Sequence, residues 1–148
     1  LAFAEIYRFE GIVNQLAGDG LMALFGAPIA HEDAPERAVR AALAIQASLA
    51  DLSDRLLAER GVSLRARIGI HTGIVVAGTV GNDQKMDYTA IGEPVNVANR
   101  MQALAGPGQI KITGEVRERL GELIDVKPEG SRMLEGVDHP IEVFEVLY

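Results

Sequence analysis

The chain has 148 residues, 48% of them hydrophobic, with a formal net charge of -7 and no cysteine. That length buries one core, and no low-complexity tract or linker divides it, so residues 1–148 read as one domain. The acidic balance argues against a nucleic-acid surface or a basic membrane anchor. No stretch approaches the roughly twenty apolar residues needed to span a bilayer, and the lack of cysteine fits a reducing cytoplasm.

In chain order, Phe3, Ile6 and Phe9 keep helical spacing and Gly11 reads as the C-cap of that helix. Val13 to Ala17 and Leu21 to Phe25 read as strands around a tight turn, Gly18-Asp19-Gly20. Asp33 and Glu36 make a D-x-x-E capping pattern. From there Val39, Ala42, Leu43, Gln46, Leu49, Leu52 and Leu56 carry a stripe to Gly61, opposite a solvated face with Arg37, Arg40, Asp51 and Asp54. Strands are expected at Arg65 to Ile70 and Ile74 to Thr79, around His71-Thr72-Gly73. A polar excursion through Asn82, Asp83 and Lys85 precedes a strand from Met86 to Ile91. Neither His31 nor His71 has a partner at metal-ligand spacing. Gln109 to Thr113 reads as a strand, Gly114 to Leu120 as a short helix and Ile141 to Leu147 as a final strand. This order predicts an α+β sandwich rather than a doubly wound parallel sheet.

Two segments carry chemistry. In Tyr88 to Arg100, YTAIGEPVNVANR, Pro94 suits a first helical turn because its missing N–H costs nothing there. Asn96 and Arg100, four residues apart, then share a face, while Val95, Val97, Ala98 and Met101 can meet a core. The nearby helix N-terminus favours an anion such as phosphate. The plain alternative is a surface pair that meets only water. Asp19, between two glycines, is either turn chemistry or a hard oxygen ligand for magnesium at a backbone that ions and phosphates can approach closely.

GDGLMALFGAP, RIGIHTGIVVAGTVG and YTAIGEPVNVANRM, in this order with a long helix between the first two, resemble the catalytic domain of class III nucleotidyl cyclases. The YTAIG form is similar to the bacterial and soluble-adenylate-cyclase branch, and the resemblance spans nearly the whole chain. It implies a ferredoxin-like palm sandwich. It also implies that ATP is converted to 3′,5′-cyclic AMP and pyrophosphate in a homodimer whose composite sites take Asp19 from one subunit and Asn96 with Arg100 from the other.

By the same resemblance, Asp19 matches the second of two aspartates that hold two magnesium or manganese ions. Asn96 matches the residue that orients the ribose, Arg100 the one that stabilises the transition state, and Arg67 one that contacts the outer phosphates. Gln15 and Thr89 fall where the purine is read. Thr89 fits the branch, whereas Gln15 replaces the lysine of adenylate-making members and is not the glutamate of guanylate-making ones, so GTP stays open as a substrate. Glu135 stands where a lysine usually reaches the triphosphate, with Arg132 nearby as a possible substitute.

The family's first strand, with the other metal aspartate, and its first glycine-loop helix precede Leu1. The resemblance therefore implies an incomplete domain, inactive and poorly stable by itself, from a cytoplasmic parent that carries regulatory domains. A second reading, a degenerate cyclase-like module for dimerisation or nucleotide sensing, stays open because of Gln15 and Glu135.

Overall fold

The computed structural model describes residues 2–17, 20–26, 32–74, 76–82, 85–91, 93–122 and 124–148, with side chains described outside 14–17, 76–82 and 85–91. The order is α1 (Ala2–Arg8), β1 (Ile12–Ala17), β2 (Gly20–Leu24), α2 (Ala34–Arg60), β3 (Ile68–Ile70), β4 (Val76–Asn82), β5 (Lys85–Ile91), α3 (Glu93–Leu104), β6 (Ile110–Thr113), α4 (Gly114–Glu118), β7 (Val126–Met133) and β8 (Pro140–Val146). The α+β expectation holds.

Side-chain alternation along β8 organises the domain. Ile141 and Val143 point to one face of the sheet, and Phe144 and Val146 serve the other. The four-stranded sheet runs β3-β6-β8-β7, with β3 parallel to β6 and the other pairs antiparallel. On one face, Ile110 and Ile112 of β6 and Val146 meet Val39 and Ala42 of α2, Val116 of α4, Leu120 and Ile124. On the other, Val97 and Met101 of α3 pack with Leu134, Val137, Ile141 and Val143. Both faces are covered, so all four residues of β6 are buried. Lys111, on β6, brings an ammonium into this interior and is paired there with Glu129 of β7, the partner a buried charge requires.

The site helix is seated through a missing side chain. A Cβ on Gly69 of β3 would lie 2.2 Å from the Gln102 nitrogen, 2.6 Å from the Met101 carbonyl carbon and 2.7 Å from the Ala98 oxygen. All three are backbone atoms of α3. Ile68 and Ile70 turn to the α2 side, which leaves Gly69 as the point where helix meets strand.

β1 pairs only with β2, and β4 only with β5, among the described residues. The two hairpins touch through β1 and β5. Phe3 and Tyr7 of α1 and Leu21 of β2 are exposed.

Several expectations change in detail. The left-handed residue that closes α1 is Glu10, at φ 66, and not Gly11. Gly11 donates to the Ile6 carbonyl and Glu10 to that of Tyr7, the paired bonds of a Schellman ending. Gly11 is required instead by Phe25, whose ring would lie 2.5 Å from an added Cβ. The D-x-x-E capping bond before α2 does not form. Asp33 accepts from Arg37 Nε at 2.8 Å and Glu36 from Arg40 at 2.9 Å, so the helix start is held by i,i+4 pairs. Gly61 closes this 27-residue helix, as expected.

Arg65 to Arg67 are not strand. That approach is tied to side chains of α2, with Gln46 Nε2 donating to the Ala66 carbonyl at 3.0 Å and the Leu64 N–H donating to Ser53 Oγ at 2.9 Å. β7 went unpredicted because its burial does not alternate. Most of Val126–Met133 is exposed, and the ladder shifts register between Pro128 and Ser131.

Gly69→Ala is expected to destabilise the domain by about 3 kcal/mol, since no flexible atom can move aside for the methyl group. A lower urea midpoint at unchanged slope would show it. An unchanged midpoint would mean that α3 is not held by this contact.

Candidate active site

α3 begins at Glu93, with Pro94 in its first turn, as the sequence predicts. Val97 and Met101 are buried below it, and Asn96 and Arg100 lie on the flank that meets the turn from Leu134 to Val137. The Val137 N–H donates to the Leu134 carbonyl at 3.0 Å, which closes that turn. Gly136, at φ 81, occupies a backbone region that L side chains avoid, and a Cβ there would approach Asn96 Nδ2 to 3.1 Å. The turn is thereby held against the amide.

Arg100 Nε donates to the Glu135 carbonyl oxygen at 3.2 Å, and Arg100 Nη1 lies 3.6 Å from Glu135 Oε2. The arginine side chain is 36% exposed and the glutamate 84%. An ion pair this open to water is worth only about 0.2–1 kcal/mol. The contact orients the guanidinium without neutralising the site. The backbone of Glu135 is built into the site, and its carboxylate is largely in water.

The structure thus brings together Asn96, Arg100, Glu135 and Gly136. Arg67 is exposed before β3 and makes no hydrogen bond or ion pair among the described residues. Arg132, opposite Ile141 in the ladder, is likewise exposed. Gln15 lies on β1 opposite Met22, beside a register shift, and Thr89 lies on β5 opposite Gly78; their side chains are outside the described residues. Since β1 and β5 touch, the two positions sit on adjoining strands. Asp19 and His31 are outside the described residues.

A second polar cluster lies at the start of α3. Asp138 Oδ1 and His139 Nδ1 are 2.9 Å apart, and His139 Nε2 lies 3.8 Å from a Glu93 oxygen. Among the described residues this is the one acid and imidazole group close enough to hold an ion. Both ring nitrogens already face a carboxylate, which suits an imidazolium between two acids better than a metal ligand. The Asp138 bond raises the His139 pKa, and the His139 bond lowers that of Asp138.

His71 follows β3 and is largely enclosed. Its Nδ1 shares a hydrogen bond of 2.7 Å with Thr113 Oγ1, and Glu115 Oε2 lies 3.8 Å away. Burial lowers its pKa, opposed by the charges of Glu115 and Glu93 and reinforced by His139. The imidazole ties the end of β3 to the end of β6. An open cleft of about 460 Å³ lies beside it, lined by Thr72, Gly73, Ile74, Glu115, Glu118 and Arg119, none of them an expected site residue.

The Arg100 and Glu135 pairing was not legible in the sequence, because the partners are 35 positions apart. The usable signal was Gly136, a glycine after an apolar-acid pair, which marks a tight turn without saying what it meets.

With this geometry in view, likeness to known proteins decides the family. Residues 3–147 match the model of the adenylate and guanylate cyclase catalytic domain. The chain belongs to that family. Adenylate cyclase 1 of Rhizobium meliloti is 31% identical over 148 residues, covering 98% of this chain and 22% of that protein. The chain thus spans about a fifth of this curated relative. Among solved structures, the adenylyl cyclase CyaB from P. aeruginosa superposes with a TM-score of 0.89 at 26% identity, over 99% of this chain and 76% of that one. The guanylyl cyclase Cya2 gives the same TM-score of 0.89 at 29% identity, over 98% and 74%. The cyclase fold and family are established, and adenylyl and guanylyl relatives fit equally well. Among the described residues no helix is long and apolar enough to cross a membrane.

A pH dependence follows from the histidines. His71 resists protonation in the folded state, so its contribution is complete above about pH 6.5 and is lost as pH falls through its lower folded value. His139 acts oppositely: its contribution is present below about pH 6.5 and is lost as pH rises through its raised folded value. In thermal melts between about pH 7.5 and 5.5, His71→Gln is expected to flatten the acid-side loss and His139→Gln to steepen it. Parallel profiles for wild type and His71→Gln would remove this role.

Proposed function

We propose that the chain is the catalytic domain of an adenylate cyclase whose homodimer converts ATP to 3′,5′-cyclic AMP and pyrophosphate. The observation that carries this reading is the placement of Asn96 and Arg100 on one flank of α3, with the arginine oriented by the Glu135 carbonyl, in a chain of the cyclase family. In the proposed reaction the ribose 3′ oxygen attacks the α-phosphorus. The new oxygen-phosphorus bond closes the ring, the bond to the bridging α,β oxygen breaks, and pyrophosphate leaves with that electron pair; the hydroxyl proton passes to solvent.

Asn96 holds the ribose so that its oxygen lies in line. Arg100 spreads two donors over phosphoryl charge that grows in the transition state. Arg67 meets the outer phosphates, and Gln15 with Thr89 reads the purine from the adjoining strands β1 and β5. Two magnesium or manganese ions, with Asp19 of the other subunit as one carboxylate ligand, would supply charge neutralisation at the phosphates. This reading places the enzyme in the cytoplasm, beside its nucleotide supply, with regulatory domains elsewhere in the parent protein. ATP is favoured over GTP by Thr89 and by the likeness to adenylate cyclase 1 of Rhizobium meliloti. Gln15 supports neither strictly, because an amide can present either a donor or an acceptor.

A degenerate module for dimerisation or nucleotide sensing is the second reading, favoured by the carboxylate of Glu135 beside Arg100. Cyclic nucleotide formation by the full-length protein with magnesium or manganese separates the two. Arg100→Ala is expected to lower turnover about a hundredfold, and a retained rate removes Arg100 from the reaction. Absence of product above that variant in the wild type would leave the module reading. Gln15→Lys is expected to raise the ratio of kcat/KM for ATP over GTP; an unchanged ratio refutes its place at the base.

A further inference from the structure

Arg100 meets two different oxygens of one residue, the carbonyl and a carboxylate oxygen of Glu135. The Glu135 carbonyl takes the Nε proton at 3.2 Å, and it belongs to a turn pinned on either side by buried Leu134 and Val137. Gly136 admits no side chain between that turn and Asn96, so the turn keeps its distance from α3. This acceptor is a fixed dipole, and it orients the guanidinium whatever side chain stands at position 135.

The Glu135 carboxylate is of another kind. It is 84% exposed and lies 3.6 Å from Nη1, beyond hydrogen-bond distance but within ion-pair range. It therefore occupies the outward edge of the arginine loosely. A phosphate arriving at that edge must displace it and then lie beside its negative charge. Resting on the reading that Arg100 meets phosphate, we propose that Glu135 is a displaceable counter-ion of Arg100 that weakens binding of the polyphosphate. It is an affinity-setting residue that acts through the arginine, while its own backbone carbonyl positions the same side chain.

The test is a double-mutant cycle in the full-length protein, read by calorimetric binding of magnesium-bound α,β-methylene-ATP to wild type, Glu135→Gln, Arg100→Ala and the double variant. Glutamine keeps the shape and the backbone carbonyl and removes only the charge. Glu135→Gln is expected to bind about two- to fivefold tighter, and the gain should vanish when Arg100 is alanine. Equal affinity of wild type and Glu135→Gln, an undiminished gain without Arg100, or no binding by any of the four would overturn the proposal. The cyclase reading fails separately. A coupled gain in binding without cyclic product removes that reading and leaves the counter-ion role, whereas product formation without coupling does the reverse.

Discussion

The rest of the structure depends on one close approach, the backbone of α3 lying directly on Gly69 of β3. Helix and strand meet without an intervening side chain, so the depth of α3 is set by backbone contact rather than by adaptable packing. Everything on the helix is registered from there. Val97 and Met101 fall into the pocket formed with Leu134, Val137, Ile141 and Val143, and Asn96 and Arg100 are left at its edge. A helix seated an ångström higher would lose the core contact and the polar one together.

The sheet places charge as firmly as it places apolar groups. On β6, Ile110 and Ile112 serve one core while Lys111 and Thr113 point the other way, one matched by Glu129 and the other by His71. These pairings satisfy buried polar groups close to α3 and remove them as competitors for a ligand. Arg100 is treated differently. Its main acceptor is a neutral carbonyl, and its carboxylate partner is mostly in water. The structure therefore keeps this cation available, whereas Lys111 is taken up by Glu129.

How much of this could be read in the sequence divides along the same line. The helix at Pro94, the shared flank of Asn96 and Arg100, the long stripe ending at Gly61 and the strand Ile110–Thr113 all follow from period and local turn chemistry. β7 did not, because an exposed edge strand with Pro128 and Gly130 carries no alternation to find. The capping box before α2 failed for a related reason: Asp33 had two partners open to it, and Arg37 one turn on offered a charged donor in place of a backbone N–H. The contact of Glu135 with Arg100 and the seating of α3 on Gly69 are tertiary facts, created by strands that bring distant residues together. A glycine in a strand announces close approach but not the partner.

The two halves of the proposed site differ in how they are supported. Asn96 and Arg100 stand on a helix clamped between β3 and the turn after β7, within the hydrogen-bonded sheet. Gln15 and Thr89 stand on two hairpins that adjoin each other and, among the described residues, pair with nothing else. Transition-state stabilisation requires donors held to within a fraction of an ångström, whereas choice between purines requires only that a few acceptors and donors be exchanged. Separate supports allow the second to change without disturbing the first. Likeness to adenylyl and guanylyl cyclases at equal TM-score is what a common phosphate-handling frame should give, and in the proposed function the substrate base is read from β1 and β5 rather than from the core.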